Sequence, residues 1–102
     1  MATKEEEKAR KAALKARELA FIADFQPRLI QARKNRKMSQ EQLATYLGLT
    51  RAGYRKYEDR PTSSFPIFLL PALSKILDEP ISYWFTGVSG NPKQNHPRLV
   101  VG

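Results

Sequence analysis

Apolar positions along the chain first follow a helical spacing. Thr3-Lys4-Glu5-Glu6 has the form of a capping box, with Thr3 as N-cap and Glu6 reaching back. Behind it Glu6/Arg10 and Glu7/Lys11 stand four residues apart, the spacing of helical ion pairs. No proline or glycine intervenes before Pro27, so the pattern predicts a helix over 4–24. Leu14, Phe21 and Phe25 lie near one face, while Leu19 and Ile22 lie off it. The apolar positions therefore form no single heptad stripe, which argues against a long coiled coil. Pro27 suits the first turn of a second helix, where its missing N–H matters least. That helix is expected to reach about Arg36, with Leu29, Ala32 and Arg33 inward.

Further on, Ser39 and Gln42 form another capping box, and Leu43, Ala44 and Leu47 make the buried face of a short helix. Gly48 ends it in the left-handed conformation that glycine adopts without strain. Thr50 caps the next helix, which runs to about Asp59, and residues 60–65 read as a loop. A helix over 66–78 follows, with Leu69, Leu70, Leu73, Ile76 and Leu77 mostly inward and Pro71 delaying its start. Ile81 to Phe85 makes one short turn that stops at Thr86-Gly87, and from Val88 the composition predicts a mobile tail. The pattern is all-α.

Composition narrows the class. With 102 residues the chain holds one small domain, and 41% hydrophobic with 27% charged residues is a globular balance. There is no cysteine, which removes disulfides, thiolate metal sites and cysteine nucleophiles. His96 is the single histidine, and no nucleophile, glycine loop or carboxylate cluster accompanies it. No enzymatic activity, metal or cofactor is expected. No apolar leader or spanning segment is visible, which predicts a cytoplasmic protein.

The net charge of +8 points to a polyanionic partner, and its distribution says where. Residues 28–60 carry 9 basic and 3 acidic groups, while residues 1–27 carry 6 and 5. The nearly neutral first segment argues against membrane binding. The basic middle third coincides with the pair of short helices joined at Gly48. Apolar Leu43, Leu47, Leu49, Tyr54 and Tyr57, small Ala44 and the turn glycine together make a helix-turn-helix pattern. Thr50, Arg51, Ala52, Arg55, Lys56 and Asp59 are left facing outward on its second helix.

Arg33, Met38-Ser39-Gln40-Glu41-Gln42-Leu43-Ala44, Gly48-Leu49-Thr50, Tyr57-Glu58 and Ile81-Ser82-Tyr83-Trp84-Phe85-Thr86-Gly87 give the chain its resemblance to the lambda-repressor-like Cro/C1 family, also called the XRE family. The resemblance covers about residues 25–87. It implies a compact five-helix DNA-binding domain at 25–87, between an N-terminal helical extension at 1–24 and a flexible tail at 88–102. The helix over about 50–58 is then the one that enters the major groove. The resemblance also implies a transcriptional regulator of phage, prophage or bacterial origin, acting as a homodimer on a palindromic operator. Three residues depart from the family pattern. Gly53 lies inside the recognition helix, Tyr54 stands where a branched aliphatic is usual, and Arg60 replaces a glycine, so the exit from that helix should differ.

Arg51 and Arg55 share a face, and arginine forks match the O6/N7 edge of guanine. Ala52 fits against a thymine methyl or keeps the surface close to the groove. Thr50 and Lys56 suit phosphates, which position without specifying. The resemblance implies that Gln40, at the start of the first motif helix, touches the DNA backbone and braces the recognition helix, and basic Lys37 and Arg60 complete the candidate set. The resemblance implies a partly buried ion pair between Arg33 and Glu58. Tyr54, Tyr57, Trp84 and Phe85 read as core, with Trp84 and Phe85 also candidates for a dimer interface. The extension at 1–24 exceeds what such a domain needs. It raises an alternative, an antitoxin-like module that binds a partner protein through its terminal extensions and regulates its own operon.

Overall fold

The computed structural model describes residues 3–91, which form five α-helices and one 3-10 turn. Helix α1 spans Lys4–Asn35, α2 Gln40–Leu47 and α3 Arg51–Asp59; after the 3-10 turn Ile67–Leu69 come α4, Leu70–Leu77, and α5, Tyr83–Thr86. His96 and the rest of the tail beyond residue 91 lie outside the described residues.

The expected break between two helices at residues 24–27 does not occur. Pro27 lies inside one continuous 32-residue helix. Proline removes one helical N–H, but Pro27 and Ala23 are both exposed, so water can satisfy the carbonyl left over. Burial of Ile22, Phe25, Leu29 and Ala32 carries the helix through that point. The extension and the first helix of the domain are therefore one element. Residues 3–20 of it are exposed, Leu14 at 69%, and burial begins at Phe21 and Ile22.

The other helix boundaries follow local chemistry. The Thr3/Glu6 and Ser39/Gln42 capping boxes both form. Gly48 adopts φ 79°, the left-handed value that lets the chain reverse between α2 and α3. Pro71 sits in the first turn of α4 and shifts its start to Leu70. At the end of helix α3 Arg60 is extended at φ −99°, ψ 122°, and its carbonyl accepts a 2.6 Å bond from Gln26 Nε2 on α1.

One core joins all five helices. Leu29 and Ala32 of α1, Leu43 and Ala44 of α2, Tyr54 of α3, Leu73 of α4 and Trp84 of α5 meet in it. Phe65, in the loop, packs on Phe25 at 5.4 Å and edge-on to Tyr57 at 5.2 Å between ring centroids. Arg28 of α1 donates to the Trp84 carbonyl at 3.1 Å, and the Tyr83 hydroxyl donates to the Arg28 carbonyl at 3.2 Å, so α5 is tied to α1 in both directions.

The start of the expected mobile tail is also held. Ser89 is buried, its hydroxyl donates to the Glu79 carboxylate at 2.7 Å, and the Gly90 N–H reaches the same carboxylate at 2.9 Å. Residues 89–91 thus meet a buried acid, whose acceptors composition does not reveal.

Candidate nucleic-acid interface

Helix α3 is set at a defined angle by a buried polar cluster. Arg33, near the end of α1, donates from Nε to Glu58 Oε2 at 2.6 Å and from Nη2 to Oε1 at 3.0 Å. Its remaining Nη1 donates to the Met38 carbonyl at 2.8 Å. Gln40 Nε2 gives Glu58 a further bond at 2.9 Å, and the Tyr54 hydroxyl donates to Oε2. One carboxylate thus joins α1, α2 and α3. The Arg33 and Glu58 side chains are only 11% and 4% exposed.

Burial pushes the Glu58 carboxyl up, but hydrogen bonds from Arg33, Tyr54 and Gln40 outweigh it and hold it below the ordinary carboxylate range. Glu58 in turn holds the Arg33 guanidinium above its usual value. Burial, reinforced by the Glu58 charge, pushes the Tyr54 phenol up, so it stays a donor at any physiological pH. The resemblance implied the Arg33–Glu58 pair and a Gln40 that braces the recognition helix; the Tyr54 hydroxyl is the member it did not supply. The signal was present, since Tyr54 and Glu58 stand four apart on the inner face of α3. The ring that departs from the family's aliphatic residue brings the cluster an extra donor.

The opposite side of α3 faces outward. Arg51, Ala52, Arg55, Lys56, Asp59 and Arg60 line one shallow groove, four cations around a single carboxylate. Arg51, Ala52 and Arg55 are exposed, and Ala52 leaves the floor low between the two arginines. Arg55 Nε donates to Asp59 Oδ2 at 3.0 Å. Half-buried Lys56 lays its ammonium over the Tyr57 ring, 5.1 Å from the centroid. Thr50 caps the helix by accepting the Gly53 N–H at 2.9 Å, and no acidic residue occupies the first turn. The positive end of the helix dipole is therefore open to an anion. Gly53 also has a local role, because a Cβ there would stand 3.0 Å from the Thr50 hydroxyl.

The remaining candidates divide. Gln40 is half-buried and spends its amide on Glu58, bracing α3. Lys37 is exposed in the turn after α1, at φ 56°, and is not part of the groove. Trp84 cannot serve a dimer interface. It has 0% exposure, and its indole N–H donates to Ser74 Oγ at 2.7 Å. Phe85, read as core, is 51% exposed and leans on Phe21 with centroids 5.8 Å apart. A single turn as short as α5 can bury only part of its face, and Trp84 and Tyr83 take that part.

Among the described residues no group of acidic or histidine side chains is placed to hold a metal. No helix among them is long and apolar enough to cross a membrane. No curated protein and no solved structure matches the chain. A family model described as helix-turn-helix matches residues 29–84, from the last quarter of α1 to Trp84. That match covers more than half of the sequence and contains the whole Arg33–Glu58 cluster and the outward face of α3. On this footing the chain belongs to the Cro/C1-type, or XRE, helix-turn-helix family of DNA-binding regulators.

Proposed function

We propose that this regulator acts as a homodimeric repressor on a palindromic operator, with α3 of each subunit in the major groove. The observation that carries the reading is the groove along α3, where four cations surround the small Ala52 while buried Glu58 fixes the helix from behind. Arg51 and Arg55 read base edges, Thr50, Lys56, Arg60 and Lys37 meet phosphates, and Gln40 braces α3 through Glu58. One such helix reads too few bases for useful specificity, so two half-sites about one duplex turn, ~34 Å, apart are required. Phe85, the adjacent 3-10 turn with Ile67 and Phe68, and the exposed part of α1 offer apolar surface for pairing.

Selection of bound sequences from a random duplex pool tests this. The expected product is an inverted repeat with half-site centres one turn apart. A pool that never enriches, or an enriched site without symmetry, refutes the corresponding part. The 69% exposure of Leu14 on an otherwise solvated arm favours a second reading, an antitoxin-like module whose arm docks on another protein. Stoichiometric co-purification of such a protein from the native host supports that reading.

A further inference from the structure

The acid in the basic groove is the residue that DNA binding by itself does not explain. Asp59 is the last residue of α3, where the helix dipole disfavours a negative charge. It stands among Arg51, Arg55, Lys56 and Arg60, where it repels phosphate. Its ion pair with Arg55 is 63% and 49% exposed, in the range where such pairs add little stability. The Arg-before-Asp order at i,i+4 is also the weaker orientation for a helix.

The geometry of the bond supplies what stability does not. Asp59 Oδ2 takes the Nε–H of Arg55 and no terminal nitrogen. The two terminal amino groups keep their outward N–H bonds, and these are the fork that spans O6 and N7 of guanine. Arg33, by contrast, spends Nε and both terminal nitrogens inside the protein.

We infer that Asp59 is a positioning residue for base readout. Its carboxylate holds Arg55 by Nε so that the terminal fork is presented to a guanine, at the expense of some phosphate attraction. The inference rests on the regulator reading above. An unheld arginine on an exposed helix face samples many rotamers and meets phosphates as readily as bases. A held one enters the groove with its fork already oriented, and discrimination rises while general affinity falls.

The test uses the full chain and the enriched operator, operators changed at each base pair, and a random duplex, all at one salt concentration. Asp59→Ala removes both charge and acceptor; Asp59→Asn removes the charge and keeps an acceptor for Nε. Both variants should bind random duplex more tightly, about two- to fivefold, because a groove anion is gone. Asp59→Ala should also lower the discrimination at the Arg55 base pair, from about tenfold or more to about twofold. Asp59→Asn should retain most of it. In an Arg55→Ala background, Asp59→Ala should leave that base preference unchanged. An equal gain on every sequence in both single variants, with base preference intact, overturns the inference and leaves the regulator reading standing. A wild-type chain with no base preference at any position refutes the regulator reading itself.

Discussion

Replacing Glu58 with glutamine is the sharpest test of how α3 is held. The substitution keeps volume and removes one charge from a pair whose members are 4% and 11% exposed. Arg33 then remains buried, charged and without a counter-ion. Breaking a buried pair from one side costs about 3–5 kcal/mol, whereas an exposed pair such as Arg55–Asp59 is worth about 0–1 kcal/mol. In a domain of this size each kcal/mol moves the melting temperature by about 4–8 °C, so Glu58→Gln should lower it by at least ~12 °C. Removing both charges, as Arg33→Met with Glu58→Met, should recover part of this loss. Recovery stays partial because the buried Tyr54 hydroxyl and the Met38 carbonyl lose partners, at about 1–3 kcal/mol for each group left unsatisfied.

The pH dependence carries a sign. The Glu58 carboxyl of the folded chain titrates below its ordinary value of 4.5. Its contribution is therefore fully present above that value and is lost as pH falls through the lower folded value. Glu58→Gln should flatten the acid side of the stability curve and leave its shape near neutrality unchanged. Urea and thermal melts followed by circular dichroism measure both effects. A loss below about 1 kcal/mol, or an unchanged acid limb, would mean that the cluster is solvated and that α3 is held by apolar packing alone.

Arg51→Ala should relax preference at its own base pair by about 1–3 kcal/mol in an operator titration, while Lys56→Ala should weaken all sequences about equally. If each subunit of the dimer neutralises a few phosphates, the logarithm of the binding constant should fall with the logarithm of salt at a slope of roughly −5 to −7; a flat dependence contradicts the groove assignment. Gly48→Ala should cost about 1–2 kcal/mol in a melt, because φ 79° is strained for a residue with a Cβ even though open space surrounds it. Deleting residues 1–19 removes only exposed positions among the described residues and should leave a cooperative melt; an unfolded product would place the arm within the cooperative unit.

Local chemistry by itself determined the helix-turn-helix. Ser39, Gln42, Gly48 and Thr50 act on backbone groups within a few residues of themselves, so caps and turn follow from spacing. Leu29, Ala32, Leu43, Ala44 and Leu47 were legible because helical periodicity marks an inner face wherever that face is continuous. The charge of residues 28–60 likewise named the outward side of α3. Tertiary structure decided what depends on distant partners. Pro27 is a first-turn residue by propensity, yet burial on both sides of it keeps one helix from Lys4 to Asn35. Phe65 lies in a loop with no periodicity and is a core residue only because Phe25 and Tyr57 converge on it. Trp84 and Phe85 are adjacent and both aromatic, and only the packing of a single turn against α1 and α4 puts one inside and the other out. Glu79 catches Ser89 from ten residues away, a contact with no local signature. The charge on α3 could be read from the sequence, but its division into a buried carboxylate that fixes the helix and an exposed one that holds Arg55 needed the folded arrangement of three helices.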